Sequence, residues 1–196
     1  MLLALVAVIA LAVVTGRSFG GDSAATPPVG CHWQACTGEP GVPGAPVERA
    51  EVASRVREWL DDQDIGYSMT EGHAGPGGWG WYRRDCSGFV SMALHLPDDD
   101  GGASTVGLAD VVTEVKSTHL RPYDLLGRLG PETGGESGHV QFFLGWANEA
   151  RTRVRVAEQG GLAERAAWPH VTTYAWPERM ADGTPLLAYR YTGIRD

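Results

Sequence analysis

Lysine is nearly missing from this 196-residue chain: Lys116 is the only lysine among 16 basic residues, and the rest are arginine. Acidic residues number 24, and the formal net charge is -8. That balance argues against a nucleic-acid partner, which would need a basic surface. Long hydrophobic runs are missing too. The longest covers residues 2–14, thirteen apolar residues, short of the roughly 20 that span a bilayer and within the roughly 7–15 of a signal-peptide core. No Lys or Arg precedes this run, Arg17 follows it, and no cysteine lies near enough to accept a lipid. Residues 1–25 therefore read as a signal peptide, with cleavage after Gly20 or Ala25, or as an N-terminal membrane anchor. Either way the protein is expected to be secreted or held at the cell surface.

Cysteine is also scarce, and its count of three is odd. Cys31 and Cys36 lie close together in the Pro/Gly-rich linker of residues 26–46. In an oxidising compartment that pair is expected to close a small disulfide loop, leaving Cys86 as a free thiol. A metal site built from Cys31, His32 and Cys36 lacks a fourth ligand at zinc-like spacing. No metal and no organic cofactor is expected. Internal repeats are absent, and residues 47–196 are long enough to bury a core as one domain, expected to be a monomer.

What is present centres on Tyr82–Leu96, YRRDCSGFVSMALHL. Asp85 is a good helix N-cap, and Phe89, Val90, Ala93 and Leu94 follow with helical rhythm. Cys86 then falls on the first turn, where the helix dipole and unpaired backbone N–H groups favour a thiolate. Gly88 leaves one side of that turn bare. Before it, residues 48–61 carry Val52, Val56, Trp59 and Leu60 at helical spacing, and the glycine- and tryptophan-rich stretch 67–81 reads as a loop leading to Cys86. Asp98–Gly102 reads as a solvated turn without calcium-loop spacing, and residues 108–115 as a short helix or strand. Strands are predicted over 139–146, 153–158, 171–175 and 186–191. Helices first and strands afterwards indicate an α+β domain with an antiparallel sheet.

Asp85-Cys86-Ser87-Gly88 opening an apolar helix, followed about fifty residues later by a strand beginning Gly138-His139-Val140, resembles the NlpC/P60 family of papain-like cysteine peptidases. The resemblance covers about residues 48–192. It implies a papain-like core with the Cys helix packed on the sheet. It also implies an exported peptidase that hydrolyses amide bonds in peptidoglycan stem peptides, next to a D-amino acid. Tyr67 would belong to one wall of the substrate cleft, and Asp85 and Ser87 could hold a substrate amine. An acyltransferase on the same Cys–His pair, or a non-catalytic surface-binding protein, are the alternatives.

A nucleophilic cysteine needs a base and a group to orient that base. Of the six histidines, His32 lies in the leader. His95 is nine residues beyond Cys86 on the same helix, which at about 100° per residue is the opposite face. His73, His119 and His170 sit in loops with nothing arranged around them. His139, heading an apolar strand after a flexible loop, is the candidate base. The family commonly places a second His on the next strand, and this chain has none there. Val154 and Val156 alternate with Arg153 and Arg155, so Glu158 continues the inward Val face and Gln159 the Arg face. Glu158 is the predicted third residue, with Gln159 the alternative if the strand is bulged.

Overall fold

A computed structural model describes residues 43–62, 64–78, 80–160 and 167–196. The expected leader and the Cys31–Cys36 stretch lie outside them. Helix α1 (Arg49–Asp61) forms where the periodic stripe requires it, burying Val52, Val56 and Trp59. Arg55 is buried on the same helix, its guanidinium hydrogen-bonded to Ala93 O and paired with Glu51. Just before α1, the short strand β1 (Val47–Glu48) pairs in parallel with β10 (Ile194–Arg195), tying the two ends of the domain together. Among the described residues no helix is long and apolar enough to cross a membrane.

The stretch read as a loop before Cys86 is instead an antiparallel hairpin of β2 (Ser68–Ala74) and β3 (Trp81–Arg84), with a register irregularity between Ser68 and Gly72. Glycine misled the reading. A Cβ on Gly72 would lie 2.0 Å from the Trp81 indole nitrogen, so the bare residue is what lets the indole lie across the facing strand.

Helix α2 (Cys86–Ala93) starts where the sequence places it. Asp85 has extended backbone, and its carboxylate accepts from Gly88 N at 2.6 Å. Every residue from Ser87 to Ala93 is buried. The helix is shorter than expected: His95 lies past its end in the left-handed region, at φ 51°, so it is not on the helix at all. The Asp98–Gly102 turn is not merely solvated, because Asp98 accepts from Trp81 N. Residues 108–115 resolve into the end of α3 (Thr105–Leu108) and β4 (Val112–Glu114).

Five further strands complete one sheet: β5 (Leu125–Arg128), β6 (His139–Trp146), β7 (Arg153–Glu158), β8 (His170–Ala175) and β9 (Leu187–Tyr191). Their order is β4-β9-β5-β6-β7-β8, and every pairing is antiparallel. Side chains alternate across it. Leu125, Val140, Phe142 and Ala157 join the main core with α1 and α2. Leu126, Phe143, Val154, Val156 and Ala188 form a smaller cluster on the other face. The centre of the sheet is thus buried on both sides, and the fold is α+β, with α2 packed against the antiparallel sheet at β6.

Candidate active site

Cys86 and His139 are each the first residue of their element, α2 and β6. Placing a functional group at the start of a rigid element fixes its position while leaving it at the element's edge. Cys86 is a free, partly exposed thiol. His139 is buried beside the Cys86 thiol, and its Nε2 lies 3.0 Å from Glu158 Oε2. With Nε2–H donating to the carboxylate, Nδ1 is the ring nitrogen left for Cys86. Burial alone pushes the His139 pKa down. The hydrogen bonds to Cys86 and Glu158, with the negative charges of both, outweigh it and raise the value to about 10. The buried carboxylate beside it thus favours the protonated ring.

Glu158 is fully buried and sits on the Val154/Val156 face. That face packs on the second, smaller cluster rather than on α2, yet it carries Glu158 to the start of β6, where His139 shares its parity with Gln141 and Phe143. Gln159 does not reach His139. Its Oε1 accepts from Trp59 Nε1 at 2.6 Å, and its Nε2 donates to Ile65 O at 3.0 Å. It is buried, not on an exposed Arg face as alternation would have it, because the chain leaves β7 after Glu158. Gln159→Ala is accordingly expected to lower stability by about 2–4 kcal/mol in urea unfolding, by leaving buried polar groups unpaired. The reactivity of Cys86 in the folded fraction should stay within about twofold, since the His139–Glu158 pair is untouched.

A cleft of about 730 Å³ opens beside the thiol, with Cys86, His139, Tyr67, Asp85, Ser87 and Glu136 among its walls. Cys86, His139, Tyr67, Asp85 and Ser87 of the sequence-predicted residues therefore line one cavity, and Glu158 lies behind His139. Tyr67 is pressed against Gly160, where a Cβ would come within 2.2 Å of its ring. Burial, and then the negative charges of Cys86, Asp85 and Glu136, push the Tyr67 pKa up to about 12, so its hydroxyl stays a donor.

Asp85 and Ser87 already have partners. Arg83 Nε lies 3.0 Å from Asp85 Oδ2, Nη2 donates to Ser87 Oγ and to Ala103 O, and Nη1 donates to Asp100 O and Gly102 O. All five guanidinium N–H groups are engaged. Arg83, which sequence reasoning passed over, thereby locks the cysteine box to the 100–103 turn. Gly88 must be bare for this, since a Cβ there would lie 2.1 Å from Arg83 O.

Three further expectations need correction. His73 is not in a loop: it lies on β2, with Nε2 3.1 Å from Asp62 Oδ2. His170 is not an isolated loop residue: it begins β8 directly opposite Glu158, with Nε2 3.4 Å from Glu158 Oε1. Register across a neighbouring strand, which no local pattern encodes, creates that proximity. The expected disulfide is also withdrawn. A disulfide needs two sulfurs in a narrow geometry, and among the described residues no cysteine pair meets it. Cys86 is free, and Cys31 and Cys36 lie outside those residues. Among the described residues no cluster of three or more His, Cys, Asp or Glu side chains is arranged to hold a metal ion. No family model matches this chain, and no curated protein matches it.

Proposed function

We propose that the protein is an exported cysteine peptidase with a papain-like core of the NlpC/P60 type, acting on amide bonds of peptidoglycan stem peptides. The observation that carries the reading is the Cys86–His139 pair on the wall of an open cleft, with Glu158 buried behind His139 and 3.0 Å from its Nε2. The substrate class rests on the resemblance of the Asp85-Cys86-Ser87-Gly88 box and the Gly138-His139-Val140 strand start.

In this mechanism the Cys86 proton resides on His139, and the thiolate attacks the amide carbonyl to form the C–S bond. The Cys86 backbone N–H, at the open start of α2, and the protonated Tyr67 hydroxyl are the donors available to the developing oxyanion. His139 returns its proton to the leaving nitrogen as the C–N bond breaks. It then takes a proton from water, which attacks the thioester carbonyl; the C–S bond breaks, releasing the acid and restoring the Cys86 thiolate beside protonated His139. Glu158 keeps the ring oriented throughout and stabilises it whenever it is protonated. Asp85 and Ser87, committed to Arg83 and to the helix start, are assigned to holding the box rigid; a substrate amine would have to compete with those bonds.

Incubation of the purified protein with defined muropeptides, read by mass spectrometry, tests the reading. The expected result is two fragments whose masses sum to substrate plus one water, and none with Cys86→Ala. Intact muropeptides in the presence of a reactive Cys86 would reject the substrate class. With an amine added, a product carrying that amine in place of water would reassign the chemistry to acyl transfer.

A further inference from the structure

Glu158 has two carboxylate oxygens, of which Oε2 serves His139. Its other oxygen, Oε1, accepts a hydrogen bond from the Tyr174 hydroxyl and faces His170 Nε2 at 3.4 Å. Both residues come from β8, one of the two edge strands of the sheet and the neighbour of β7. His170 and Tyr174 are four apart on that strand, so their side chains share its face, and β7–β8 register places His170 opposite Glu158 and Tyr174 opposite Val154.

We infer that Tyr174 is a positioning residue for the proposed reaction, fixing Glu158 through Oε1 so that Oε2 stays aimed at His139, with His170 as a secondary support. The argument is one of desolvation and geometry. A fully buried carboxylate is costly unless its oxygens are hydrogen-bonded, and one bond to a single oxygen leaves the group free to turn about its last torsion. A donor on the second oxygen removes that freedom and keeps the carboxylate ionised. The phenol suits the task because it donates without bringing a competing positive charge. His170, partly exposed, contributes at a longer distance.

This inference rests on the reading of Cys86 and His139 as a reactive pair, so its test uses thiol chemistry rather than peptide cleavage. Iodoacetamide alkylation of Cys86 would be followed against pH in the full chain for wild type, Tyr174→Phe, His170→Gln, Glu158→Gln and the Tyr174→Phe/Glu158→Gln double variant. Tyr174→Phe is expected to slow alkylation at neutral pH about tenfold, the effect of losing one charge-assisted hydrogen bond. It should also move the rise of rate to higher pH, because a loosened Glu158 supports the imidazolium less well. His170→Gln should slow the reaction about twofold, as a longer and more exposed interaction does. In the Glu158→Gln background, Tyr174→Phe should add almost nothing, since both act through one carboxylate.

An unchanged profile for Tyr174→Phe, or an equal effect in both backgrounds, would overturn the inference while leaving the Cys86–His139 pair intact. Slow alkylation of wild-type Cys86 itself, no faster than a free thiol, would overturn both. Thermal unfolding of each variant separates lost fold from lost positioning.

Discussion

His139→Ala is expected to lower turnover by about 10³-fold or more, the scale of losing a positioned acid–base group. The same change should slow Cys86 alkylation at neutral pH, because the thiol loses the group that holds its proton. Two consequences follow from the geometry and distinguish this residue from a merely buried histidine. Removing the ring leaves Glu158, with no solvent exposure, short of one partner, so the variant should also lose stability, by about 2–4 kcal/mol. The alkylation deficit must therefore be read on the folded fraction, below the unfolding transition. Cys86 alkylating at the wild-type rate in folded His139→Ala would break the proposed pairing.

Replacing Glu158 by glutamine should show the sign of its charge. The carboxylate is among the groups that raise His139 to about 10, and the replacing amide could still accept from Nε2 but carries no charge. The folded ring value must then fall. Activity that needs the imidazolium is lost on the alkaline side as that proton leaves, so the alkaline limb of the pH–rate profile should move to lower pH. The loss in turnover should be about ten- to hundredfold, the worth of one buried charge-assisted hydrogen bond. Glu158→Ala should cost more, since it also frees the ring to rotate. An alkaline limb that stays in place for Glu158→Gln, with turnover near wild type, would remove Glu158 from the mechanism.

Much of the framework around the candidate site was legible in the sequence because its signals are local. An acid before a cysteine and a glycine two residues after it specify a capped helix start, and the N-cap bond from Asp85 to Gly88 spans only three positions. Period-two alternation along β7 put Glu158 on the buried Val face, and β6 and β7 begin and end where the apolar pattern does. These features depend on neighbours within one turn or one strand, so residue order alone determines them.

The tertiary structure decided the rest. Whether Gln159 serves the site or the core depended on Trp59, 100 residues away in sequence. The meeting of His170 and Tyr174 with Glu158 depended on how β8 registers against β7. The hairpin ahead of Cys86 was hidden because its glycines weaken any strand pattern while permitting close approach of the Trp81 ring. Arg83 looked like one of many arginines until the 100–103 turn presented its carbonyls. In each case the deciding partner comes from a distant segment, and its identity is fixed by backbone register and packing, which local spacing does not encode.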